Sequence, residues 1–164
     1  EKASELLPVA TGGDNPNNFI ATIALEQKDN ARAIRALEAV VKIDHYDVEA
    51  ARKLAALVAT QNDVARTGAA YERVVALDPF DAQAQTMTGR AAMGRRDAPR
   101  ALRAFRAALA SAPADRASAH TDLAAAYLLG GDPVEAKRQA LAALELAPTF
   151  ERAQDLLLDI VDAR

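Results

Sequence analysis

Apolar and small residues recur along this chain three and four positions apart, the spacing that lines one face of an α-helix. No stretch alternates as a half-buried strand would. Ala33, Leu37 and Val40 form one such stripe, backed by Val41. It returns as Thr67, Tyr71 and Val74, as Ala101, Phe105 and Ala108, and as Ala136, Ala140 and Ala143. A second stripe precedes each: Ile20-Ala21 with Ala24, Leu54-Ala55 with Val58, Thr88-Gly89 with Ala92, and Leu123-Ala124 with Tyr127. The pattern predicts a series of helix pairs, in which a large residue followed by a small one lets paired helices approach closely. Gly89 in a helix interior costs about 1 kcal/mol against Ala, and close packing is the reason expected for it. Gly68 fits no such slot.

Polar residues punctuate the same beat. Asp29, Asp63, Asp97 and Asp132 lie 34, 34 and 35 residues apart, each after a polar or Gly-containing turn and before a helical run. Each is predicted to be an N-cap, its carboxylate accepting backbone N–H bonds and complementing the helix dipole. Pro133 after Asp132, and Pro99 two after Asp97, suit a first helical turn, where a missing N–H costs nothing. His45, Pro79, Pro113 and Pro148 share a closing slot at the same intervals, and proline there ends the second helix. Ala117–Pro148 is the clearest copy.

Composition narrows the class without changing it. The chain has 164 residues, about half of them apolar, with three Tyr, four Phe and no Trp. Alanine, leucine and arginine favour helix. A net charge of −3 favours neither nucleic acid nor an anionic membrane as partner. Without cysteine there are no disulfides or thiolate metal sites, and cytoplasm and periplasm stay equally open. No apolar run reaches the roughly 18 residues of a membrane span. The start Glu1-Lys2-Ala3 suggests a piece of a longer chain.

In the order Leu123-Ala124-x-x-Tyr127, then Ala136, Ala140, Ala143 and Pro148, the sequence resembles the tetratricopeptide repeat (TPR). The family's Trp slot holds Asn17, Ala51, Gln85 and His120; His45 replaces Pro in the first copy and Thr88 replaces Leu in the third. The resemblance implies an all-α, right-handed α-solenoid of antiparallel helix pairs. Its expected parts are a remnant of a preceding repeat and loop at 1–13, repeats at 14–47, 48–81, 82–116 and 117–150, and a C-terminal capping helix at 151–164. With Phe150, Ala153, Leu157, Ile160 and Val161 on one side, that helix is expected to cover the last repeat, and to turn Glu151, Asp155, Asp159 and Asp162 to solvent.

Catalytic signatures are missing. His45 and His120 are 75 residues apart, and no H-E-x-x-H, G-x-S-x-G, P-loop or dinucleotide fingerprint occurs. Asp155, Asp159 and Asp162 share a helical face, but a calcium site needs more oxygens from a bent loop. No enzyme activity, metal or cofactor is therefore expected within this chain. Charge is uneven: Arg90 to Arg116 holds seven Arg against Asp97 and Asp115, while Gln139 to Arg164 holds five acids against two Arg. That asymmetry could steer an acidic partner to the third copy, but no aromatics accompany it for stacking bases.

In the TPR fold, first helices line the concave side of the stack. The resemblance therefore implies groove positions at Asn18, Thr22, Arg52, Ala56, Thr86, Arg90, Thr121, Ala125 and Leu128. Met93 and Leu128 would supply apolar pockets, and Arg52 and Arg90 would pair with carboxylates. Family members that clamp a C-terminal carboxylate use Lys and Asn there; Asn18, Thr22, Arg52, Lys53 and Ala56 make that clamp incomplete. The expected function is a scaffold holding a protein or peptide ligand in the groove, with self-association as a second possibility. A third follows from the last two copies and the tail, which are similar to C-terminal repeat arms of bacterial gluzincin-type zinc metallopeptidases. The chain would then be a non-catalytic accessory or oligomerisation arm of a larger enzyme.

Overall fold

The computed structural model describes residues 15–162, so the expectation for residues 1–13 lies outside the described residues, as does the side chain of Asp162. Nine helices occur among them: α1 Pro16–Glu26, α2 Asn30–Ile43, α3 Val48–Ala59, α4 Val64–Leu77, α5 Ala82–Gly94, α6 Ala98–Ala110, α7 Arg116–Leu129, α8 Pro133–Leu146 and α9 Glu151–Asp162. They fall into two compact units, α1 to α4 and α5 to α9, divided after Asp78. The class is all-α, as the periodicity predicts.

Eight of the nine helices, all but α9, start where an acceptor side chain meets a first free N–H group. Asp29, Asp63, Asp97 and Asp132 cap α2, α4, α6 and α8 through the N–H of Arg32, Arg66, Arg100 and Glu135 at 2.9–3.0 Å. The first helices are capped as well: Asn15 accepts from Asn17, Asp47 from Ala50, Asp81 from Ala84 and Asp115 from Ser118. The turn inside each pair is equally uniform. Lys28, Asn62 and Arg96 adopt φ 57° and Gly131 φ 77°. The preceding helix closes around this left-handed residue, with Asp29, Asp97 and Asp132 donating to Ala24, Ala92 and Tyr127 carbonyls.

In the first unit α1 packs on α2, α2 on α3 and α3 on α4. Its core holds Ala24, Ala33, Leu37, Val40, Ala55, Val58, Tyr71 and Val74, all buried. Gly68 is buried in α4 as well.

The second unit runs from α5 to α9, each helix packed on the next. α5 also meets α7, and α7 meets α9, so the first helices form one layer with α6 and α8 behind them. Ala92, Ala101, Phe105, Leu123, Ala124, Tyr127, Ala136, Ala140 and Ile160 make its core. Gly89 has the expected reason: a Cβ there would stand 2.5 Å from Phe105 Cε1. The last pair reverses the arrangement, with large Tyr127 on the first helix and small Ala140 on the second, so bulk moves across the interface while the space stays filled.

Candidate interaction surface

The first-helix layer of the second unit holds two open clefts, one on each side of α7. Between α5 and α7 a cleft of about 450 Å³ is lined by Thr86, Met87, Arg90, Pro113 and Ser118 among others. Between α7 and α9 a cleft of about 410 Å³ is lined by Thr121, Ala125, Glu151, Arg152, Asp155, Leu156 and Asp159.

An ion triad around one buried carboxylate joins them. Asp122 on α7 is 2% exposed, while the Arg90 and Arg152 side chains are 51% and 48% exposed. Arg90 donates from Nε at 3.2 Å and from Nη2 at 3.0 Å to Asp122 Oδ2. Arg152 on α9 donates to Oδ1. One carboxylate taken out of water thus holds two guanidiniums from two other helices, a hydrogen-bonded pairing that a buried charge requires.

Nearby Asp115 lies at the mouth of the first cleft. The Ser118 backbone N–H and then its hydroxyl bond the carboxylate and hold its pKa below the ordinary aspartate value, against a small opposing effect of burial.

The predicted groove residues divide by environment. Arg90 and Thr86 line the first cleft, the Thr86 hydroxyl donating to Ala82 O at 2.8 Å. Thr121 and Ala125 line the second, but Thr121 is fully buried and donates to Ala117 O at 2.9 Å. Met93 and Leu128 pack against the core and line neither cleft; Met87 supplies the apolar wall. In the first unit Thr22 is exposed and donates to Asn18 O at 2.9 Å. Arg52 is held by Glu49 and Asp78, each at 2.6 Å.

Asp122 and Arg152 are absent from the groove positions read from the sequence. Asp122 occupies the slot of Phe19, Lys53 and Met87, so a lone Asp at a position otherwise filled by large side chains was the available signal. Among the described residues no group of three or more His, Asp or Glu could hold a metal ion, and no helix is long and apolar enough to cross a membrane.

The family model for the tetratricopeptide repeat matches residues 20–82 and 86–149. Several solved structures share the fold. A MamA structure aligns with a TM-score of 0.78 at 23% identity, covering 89% of this chain and 79% of that one. MamA from Desulfovibrio magneticus RS-1 aligns with a TM-score of 0.75 at 22% identity, covering 92% and 85%. A chain of the APC/C hetero-tetramer Cut9-Hcn1 gives 0.65 at 20% identity, covering 88% of this chain and 29% of that one. No curated protein matches the sequence. The likeness to zinc metallopeptidase arms gains no support from these matches.

Proposed function

This chain belongs to the tetratricopeptide-repeat family, and on that premise we propose that it is a protein-interaction scaffold whose first-helix layer holds a peptide segment of a partner. The pair of open clefts flanking α7 carries this reading. Each combines small and apolar walls with a few fixed polar groups, the composition of a recognition groove. The triad gives that layer a rigid floor, so binding orders few side chains of the scaffold. Thr86, Arg90 and Met87 face a segment in the first cleft, and Ala125 and Leu156 in the second, with buried Thr121 beneath them; Met93 and Leu128 support the layer from the core. Asn18, Thr22 and Arg52 are the corresponding positions of the first unit. Assembly of a chain of this fold with a different protein, as in the Cut9-Hcn1 hetero-tetramer, is in keeping with this role. The alternative of an accessory arm in a larger enzyme rests on sequence likeness alone.

The test fills the clefts while sparing every ion pair. Peptides that bind the chain are selected from a random array, and their affinities are measured again for Thr86→Tyr and Ala125→Tyr. Either substitution is expected to weaken binding about tenfold, or 1.4 kcal/mol. Unchanged affinity in both variants would place the bound peptide elsewhere and end the groove reading.

A further inference from the structure

A second surface, on the opposite layer, carries a charge pattern that the groove leaves unexplained. The second helices α2, α4 and α8 each contain both signs: Glu38 with Arg32, Arg35 and Lys42; Glu72 with Arg66 and Arg73; Glu135 and Glu145 with Lys137 and Arg138. α6 has Arg100, Arg103 and Arg106 at three-residue intervals and no carboxylate at all, with Arg95 and Arg96 in the turn before it. Where Arg106 stands, the first and second repeats have Glu38 and Glu72. Like charges three apart on a helix oppose each other by a few tenths of a kcal/mol per pair. Arg32 and Arg35 in α2 repel in the same way, but Glu38 follows Arg35 at the same spacing, whereas α6 has no carboxylate to offset its arginines.

The arginines are presented outward. Arg96, Arg103 and Arg106 are exposed, and the side chains of Arg96 and Arg103 make no hydrogen bond or ion pair among the described residues. Arg106 is held in place by Tyr127, donating to the buried tyrosine's hydroxyl at 2.7 Å with its guanidinium carbon 5.3 Å from the ring centroid. That clasp is neutral. It orders the fork without cancelling its charge, which lowers the entropy lost when the fork grips a carboxylate.

We propose that the outer face of α6 is a second docking surface, distinct from the groove, that binds an acidic protein segment through Arg96, Arg103 and Arg106. Charge complementarity carries the choice of occupant. Planar guanidiniums pair bidentately with carboxylates, and the helix between them offers only Pro99 and Ala110 as exposed apolar contacts. Phe105 is buried, so α6 has no aromatic to stack on a nucleic-acid base. Its apolar side, Ala101, Ala104, Phe105 and Ala108, lies in the core, so the helix has nothing to insert into a bilayer.

The experiment uses the whole chain and a glutamate-rich peptide blocked at both ends, with fluorescence anisotropy as the readout. A glutamine peptide of equal length, a single-stranded oligonucleotide and phosphatidylserine vesicles are measured alongside. The glutamate peptide is expected to bind at least about tenfold tighter than the glutamine peptide, and to weaken as salt rises through about 0.1 M, where screening acts over roughly 10 Å. Arg103→Glu with Arg106→Glu should remove that preference. Arg35→Glu, a charge reversal at the slot equivalent to Arg103, should leave it unchanged, and circular dichroism melts confirm folding of each variant. Three results overturn the proposal: no preference for glutamate, an equal loss in Arg35→Glu, or tighter binding to the oligonucleotide or vesicles. Thr86→Tyr, which blocks the groove, is expected to leave glutamate binding intact, so failure of one surface is distinguishable from failure of the other.

Discussion

Two adjacent residues of α5 show how far one side chain can depart from the repeat before the structure must respond. Gly89 yields its volume to Phe105, whose ring is 2% exposed and has nowhere to retreat. Gly89→Ala gains about 1 kcal/mol of helix propensity, but a methyl group 2.5 Å from the ring is overpacking that costs about 1–3 kcal/mol. A net fall in Tm is expected, and adding Phe105→Leu should recover part of it. Thr88 next door is 7% exposed, and its hydroxyl has no hydrogen-bond partner. Thr88→Val keeps the shape and removes the orphaned group, whose burial costs about 1–3 kcal/mol. Urea denaturation should therefore show Thr88→Val to be the more stable protein, by about 1 kcal/mol. The turn residues add a third case. A left-handed conformation costs a residue with a Cβ about 1–2 kcal/mol, and Lys28 and Arg96 accept it where Gly131 meets no such penalty. Lys28→Gly and Arg96→Gly should each raise stability by up to about 1 kcal/mol, and Gly131→Lys should lower it in thermal melts.

Helix starts are the most legible elements, and four of the eight capped ones stand out in the sequence. Asp29, Asp63, Asp97 and Asp132 announced themselves through the Gly, Gln and Arg turns before them, and all four cap as predicted. Asp47, Asp81 and Asp115 have the same 34-residue spacing, yet they sit beside the closing His or Pro of the previous copy and were masked by that stronger signal. Asp115 makes the consequence measurable. Its folded pKa lies below the unfolded value because the Ser118 N–H and hydroxyl favour the carboxylate. A depressed carboxylate pKa contributes stability above the unfolded value and loses it as pH falls through the folded one. Asp115→Ala is expected to cost about 1 kcal/mol at neutral pH. The gap in Tm between the two proteins should narrow as the buffer is taken below the ordinary aspartate range. A gap independent of pH would mean that the carboxylate charge plays no part in the cap.

At the scale of the whole chain, repeat phase revealed the architecture because packing repeats: small slots, large slots and caps obey one spacing. The triad around Asp122 obeys none. Arg90, Asp122 and Arg152 come from three helices, and a carboxylate in a slot otherwise held by Phe19, Lys53 and Met87 acquires meaning only once α9 brings Arg152 over it. Arg90 and Thr86, which line the first cleft, are among the positions the family pattern points to, whereas the anchor beneath them is not. The triad should also set how firmly α9 is held. With either arginine replaced by Gln, Asp122 keeps one guanidinium, and each single loss should resemble a half-exposed ion pair, about 1 kcal/mol or less. With both replaced, a carboxylate 2% exposed has no cation at all, and breaking a buried pairing in that way costs about 3–5 kcal/mol. The double variant should thus lose more than the two single variants together, a coupling that urea titration of all four proteins can measure. Amide exchange locates it: α9 protection should fall in Arg152→Gln before α5 protection does, since stacked helices open from the end. Small, additive losses would show instead that water reaches Asp122, and that packing of Ala153 and Ile160 alone keeps α9 in place.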